Sequence, residues 1–136
     1  MKKVKSSLVV LMTFMVVASM DFHGSTAKEL MVGGPFGWGV PQNHKFYDKW
    51  SNHHIFKPHD VLIFNFTGEI SNNDVAEVTR EAYLKCDAEN PISRQTTNLA
   101  RFKLTNTSTN NHYYICTIHQ NCKLGQKLVV MVSFRR

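Results

Sequence analysis

The stretch from Tyr113 to Lys127 constrains this chain more than any other. Tyr113-Tyr114-Ile115 is aromatic and β-branched, the composition of a strand. Leu128 to Val132 is a second apolar run of the same kind. The residues between them form a loop that holds Cys116, His119, Cys122, Gly125 and Gln126. A thiol, an imidazole and an amide are therefore carried on one strand-to-strand connection.

Two chemistries suit such a loop. Thiolate and imidazole are preferred ligands of copper, and a weak axial amide completes some copper sites. The plainer reading is a disulfide-bonded turn with a solvent-facing His119, and the spacing alone favours it. Cys-x2-His-x2-Cys also suggests zinc, but a closed structural zinc site needs four ligands. No second Cys/His pair stands near, which argues against zinc.

The remainder of the chain reads as one exported β domain. The 136 residues fit a single domain. Lys2, Lys3 and Lys5 precede an apolar run from Leu8 to Ala18, and Ser25-Thr26-Ala27 offers small residues for cleavage. That order predicts a secretory signal over residues 1–27, too short for a membrane span, and a mature domain over 28–136. The chain stops at Arg136 without an apolar tail, so no glycolipid anchor and a soluble secreted product are expected. The formal net charge of +6 suits an anionic wall polysaccharide or another acidic extracellular partner, a glycoprotein included. No basic stripe alternates with stacking aromatics, so nucleic acid is not expected. Three cysteines in an exported chain imply one disulfide and one thiol left over.

Local patterns predict the elements. Asp60 to Phe66 is nearly all apolar, as in a strand covered on both faces. Ala100, Phe102 and Leu104 alternate with Arg101 and Lys103, as in a half-buried strand. Thr79 to Lys85 is the best helix candidate, and a short helical turn is expected in the segment of Tyr47, Trp50 and Phe56. Trp38 and Trp50 are expected at the edge of the core. Gly33, Gly34, Pro35, Gly37 and Gly39 mark a turn; a phosphate-cradling loop would need a following helix and lysine. Many short strands separated by turns argue for an all-β sandwich with one or two short helices. Asn65-Phe66-Thr67 and Asn106-Thr107-Ser108 are N-glycosylation sequons; Asn106, in a polar loop, is the better acceptor, and Asn65 lies in a strand-like run. His44, His53, His54, His59 and His112 are expected on the surface.

Several motifs carry a resemblance. Tyr113-Tyr114-Ile115-Cys116 with Asn121-Cys122-Lys123-Leu124-Gly125-Gln126-Lys127-Leu128 resembles the C-terminal signature of the plant phytocyanins. That family includes stellacyanins, uclacyanins, plantacyanins and early nodulin-like proteins. Val32-Gly33-Gly34-Pro35-Phe36-Gly37-Trp38, Asp60 to Phe66, Val75 to Val78, and Tyr83 with Cys86 and Asn90-Pro91 are similar to its other motifs. The resemblance runs from about Lys28 to Val132 and implies a cupredoxin-like Greek-key β-sandwich. It implies a Cys86–Cys122 disulfide, with Cys116 unpaired at the copper-thiolate position. It also implies a copper site of two histidines, a cysteine and an axial residue. Here Cys116 and Gln126 keep two of those positions, while Asn73 and Asn121 stand where the histidines belong.

An amide oxygen is a weak copper ligand beside a neutral imidazole. The leading expectation is therefore a phytocyanin-like binding or structural module at the cell surface or wall, without a functional type 1 copper site and without enzymatic activity. The alternative is a copper-binding electron carrier that uses Cys116, Gln126 and His119. A hydrolase with Cys116 as nucleophile and His119 as base ranks last, because no third group orients the base.

Overall fold

The computed structural model describes residues 27–105 and 110–134. The signal segment, apart from Ala27, and Asn106 lie outside the described residues. Two sheets face each other. The first holds three strands: β1 (Glu29–Met31), β2 (Val61–Phe64) and β5 (Ala100–Lys103), in the order β1-β2-β5. The β1–β2 pair is parallel and the β2–β5 pair antiparallel. The second holds β3 (Val75–Val78), β4 (Ser93–Gln95), β6 (Asn111–Ile115) and β7 (Lys127–Met131), in the order β4-β3-β6-β7 and antiparallel throughout.

The alternation of β5 is what a two-layer fold requires. Ala100 and Phe102 are buried while Arg101 and Lys103 are exposed. Phe64, Phe102 and Tyr114 meet at ring-centroid distances of 5.1–5.7 Å, and these contacts join the two sheets. Trp38 belongs to this core and not to its edge: it is fully buried and packs edge-on against Phe64. Its indole N–H finds the Asp74 carbonyl at 2.8 Å, which removes the cost of burying the donor. Trp50 is half-buried beside the core.

Two short helices complete the fold. Helix α1 (Phe46–Asn52) packs on β7, and the Ser51 hydroxyl donates to the Val129 carbonyl at 2.7 Å. Tyr47 of α1 is buried; its hydroxyl accepts from the Gly39 N–H at 2.9 Å and donates to the Gly37 carbonyl at 2.8 Å. Burial drives its phenol well above the usual tyrosine range. The glycine turn is thus pinned to a helix, and Gly37 sits there at φ +81° with its Cα facing the Asn65 carbonyl. Helix α2 (Arg80–Lys85) begins on Thr79, whose hydroxyl caps the Ala82 N–H at 3.2 Å. It ends on Cys86 in the left-handed region, and Cys86 is bonded to Cys122. The bridge ties the end of α2 to the loop between β6 and β7.

Two surface expectations are corrected. His112 is buried, because position 112 of β6 faces the sandwich interior; its Nδ1 lies 3.9 Å from Glu77 Oε1. Asn65 is exposed although it lies in an extended run, because it alternates with buried Phe64 and Phe66, the latter bridged to Trp38; its side-chain oxygen accepts from Asn98.

Candidate functional site

Four side chains from two segments converge at one end of the sandwich. Asn73 ends the short 3-10 turn of Ile70–Asn72, just before β3. Cys116, Asn121 and Gln126 come from the β6–β7 loop. The loop is closed at its neck, where the Cys116 N–H donates to the Gln126 carbonyl at 3.1 Å and the Gln126 N–H to the Asn121 carbonyl at 2.9 Å. Cys116, Asn73 and Gln126 are buried and Asn121 is half-buried.

Amide hydrogen bonds fill this corner. The Asn73 side-chain amide donates to the carbonyls of Thr67 and Glu69, both at 3.0 Å. Its oxygen accepts from the Gln126 side-chain N–H at 2.7 Å. The Asn121 amide donates to the Asn72 carbonyl at 2.9 Å and turns an N–H toward Cys116 Sγ at 3.7 Å. Gln126 Oε1 is the one buried acceptor of the group without a partner among the described residues. Burial pushes the Cys116 thiol up, against partial relief from hydrogen bonds to its sulfur.

Asp74 holds the corner together, and the sequence reading passed over it. Its side chain is buried and accepts from the Thr117 N–H at 2.6 Å, from the Thr117 hydroxyl, and from Arg94 Nε at 2.7 Å. Asp74 thus fixes β3 to the residue that follows Cys116. A carboxylate directly before an apolar pair, Asn73-Asp74-Val75-Ala76, was the only signal available. Asp74→Ala is expected to cost about 3 kcal/mol, since it leaves buried donors unmatched although Arg94 is half-exposed. Chemical denaturation checks this; a loss below about 1 kcal/mol removes Asp74 as the clamp.

His119 stands outside the corner, at its solvent mouth beside Asn73 and Asn121. It is exposed, with φ +49°, and no hydrogen bond joins it to Cys116 among the described residues. It lines a shallow hollow with Phe36, Glu69, Asn72 and Asn121. A thiol held protonated, away from the histidine, is not a nucleophile–base pair. Cys116 is expected to resist iodoacetamide at pH 8 in the folded protein and to react fully in denaturant; thiol counting against time checks this, and rapid labelling of folded protein contradicts the burial.

The donor set does not fit a type 1 copper plane. Such a plane needs two imidazole nitrogens and a thiolate. Here Asn121 presents an N–H to the sulfur, Asn73 has both amide hydrogens and its oxygen engaged, and the one fully buried oxygen left without a partner is Gln126 Oε1. No cluster of three or more His, Cys, Asp or Glu side chains stands together among the described residues.

Fold and corner together define a cupredoxin. The plastocyanin-like domain model matches residues 38–126. Stellacyanin from Toxicodendron vernicifluum is 35% identical over 106 residues, covering 76% of this chain and 95% of that protein. A blue copper protein and early nodulin-like protein 9, both from Arabidopsis thaliana, are each 34% identical over 106 and 111 residues; the matches cover 78% and 81% of this chain. The chain spans only 52% of each of those two. Among solved structures, copper(II) cucumber stellacyanin superposes with a TM-score of 0.70 at 28% identity, over 82% of this chain and all of that one. The chain belongs to the plastocyanin-like family, and within it to the phytocyanins.

Proposed function

We propose that this protein is a secreted phytocyanin without a type 1 copper site, acting as a non-enzymatic binding or structural module at the cell surface or wall. The observation that carries this reading is the pair of asparagines. Asn73 and Asn121 spend their amides on backbone carbonyls, on Gln126 and on the cysteine sulfur, in the places where a blue site needs imidazole. Its partner is an extracellular polysaccharide or glycoprotein, and both sequons, Asn65 and Asn106, are offered as glycosylation sites. The single disulfide supports export, because such bonds persist in oxidising compartments. Loading the purified protein with copper(II), followed by visible absorption and metal analysis, tests the copper part. The expected result is no intense thiolate-to-copper band.

A second reading keeps electron transfer, with Cys116, Gln126 and His119 around copper. The unpartnered Gln126 Oε1 and the free Cys116 favour it. The exposed His119 speaks against it, since the loop would have to turn that residue inward. An intense band in the unaltered protein, lost in His119→Ala, would establish this second reading in place of the first.

A further inference from the structure

On the face built by α1, α2 and the end of the β6–β7 loop, lysines outnumber the carboxylates. The disulfide is the cause. Lys85 and Lys123 each adjoin a bridged cysteine, and the bridge holds the two Cα atoms of Cys86 and Cys122 5.8 Å apart. Two exposed lysines are thereby rooted at neighbouring points of the same hollow. Lys45 of the turn before α1 reaches the same hollow, of about 430 Å³, and Lys127 forms part of its wall. Lys127 is fixed: its ammonium donates to the Tyr83 carbonyl at 2.9 Å and stands 4.1 Å from the Tyr83 ring centroid. Lys49 extends the patch into the adjoining hollow along α1.

Asp48 is the one carboxylate that lines either hollow. Elsewhere Lys28 with Asp60, Arg94 with Asp74 and Arg101 with Glu29 lie within 4.0 Å, whereas Lys57, Arg80 and Lys103 have no ion pair among the described residues and lie outside both hollows. None of Lys45, Lys49, Lys85 or Lys123 has an ion pair among the described residues. Held like charges oppose folding and seek counter-charge from outside the chain.

We propose that this lysine hollow is a docking site for a polyanionic polysaccharide bearing uronate carboxylates. The proposal rests on the export inferred above, not on the state of the copper corner. A concave site lets a polymer lie across several ammonium groups, and Lys85, Lys123 and Lys45 on its rim can each take a carboxylate. Leu84, which lines the hollow, and Leu124 beside it are exposed and give the sugar rings apolar contact.

The test uses polygalacturonate of low methyl-esterification as the probe and its fully methyl-esterified form as the uncharged control. Binding is expected to the first and not the second, and to weaken as salt rises, because exposed charges are screened. Lys85→Glu with Lys123→Glu is expected to reduce affinity roughly tenfold or more. Lys57→Glu with Lys103→Glu makes the same change in net charge outside the hollow and is expected to stay within about threefold of the parent. Equal losses in the two pairs would show bulk attraction and overturn the site. Binding to phosphatidylserine vesicles as tight as to polygalacturonate would overturn the polysaccharide. Near-ultraviolet circular dichroism confirms that each variant is folded, and Lys85→Gln with Lys123→Gln replaces the reversal pair if that pair is not. A blue copper band with polysaccharide binding intact removes only the copper reading; loss of binding with no blue band removes only the docking site.

Discussion

The double variant Asn73→His with Asn121→His is expected to turn blue on copper(II) loading, whereas the parent stays colourless. The two substitutions place imidazoles at the ends of the β3 and β6–β7 segments that already flank Cys116, with Gln126 kept as the axial group. Copper(II) affinity is expected to rise at least roughly 100-fold, on the scale by which even the surroundings of metal ligands alter binding. The rescue has a structural cost. Asn73 now satisfies the Thr67 and Glu69 carbonyls and the Gln126 amide, and histidine cannot replace all three bonds. A new imidazole also needs an acceptor for its second nitrogen, which sets its tautomer. The Thr67 and Glu69 carbonyls are the available acceptors at position 73. Visible absorption, metal content and electron paramagnetic resonance read the outcome. Single variants should show weak or absent bands, because either alone leaves one amide in the plane. A double variant that binds copper no better than the parent would show that the loop no longer holds the family geometry.

Removing the disulfide, by Cys86→Ser with Cys122→Ser, is expected to cost about 3–4 kcal/mol, since the bridge closes a separation of 36 residues. For a domain of this size that is a fall of roughly 10–20 °C in melting temperature. The loss should exceed that of Asp74→Ala or equal it, because the bridge alone connects α2 to the loop covalently. Thermal melts of the variant against the parent give the number, and non-reducing peptide mapping of the parent gives the connectivity. A Cys116–Cys122 linkage in the parent would contradict the structure directly. If the variant melts within a few degrees of the parent, the loop is held by its hydrogen bonds and the entropic account fails.

Much of this molecule could be read in the linear chain, and the misses share one cause. The β6–loop–β7 unit was legible because aromatic and β-branched residues flank a cluster of Cys, His, Gly and Gln within a short span. Helix α2 was legible because Thr79 is a good cap before a helix-forming run. The two asparagines of the corner were located by family motif spacing, and the structure brings both beside Cys116 and Gln126. The positions that escaped depend on partners distant in sequence. Asp74 matters through Thr117 and Arg94, and Trp38 through Asp74, none of which a local window contains. His112 looked like a surface residue by type, but strand parity turns it inward toward Glu77. Strand β4, Ser93-Arg94-Gln95, has no apolar pattern; it exists because β3 offers it an edge. The lysine hollow was invisible for the same reason. Net charge counted its members, but only the disulfide puts Lys85 beside Lys123.

The hydrogen-bonded corner has a consequence for how the protein matures. A blue site without its metal leaves imidazoles and a thiol waiting for an ion. In this chain Asn73, Gln126 and Asn121 already close the same corner onto each other and onto Thr67, Glu69 and Asn72. On the copper-free reading proposed above, this corner is completed by amide pairing alone and needs no copper to close. On the same reading, the yield of native protein is uncoupled from trace-metal supply.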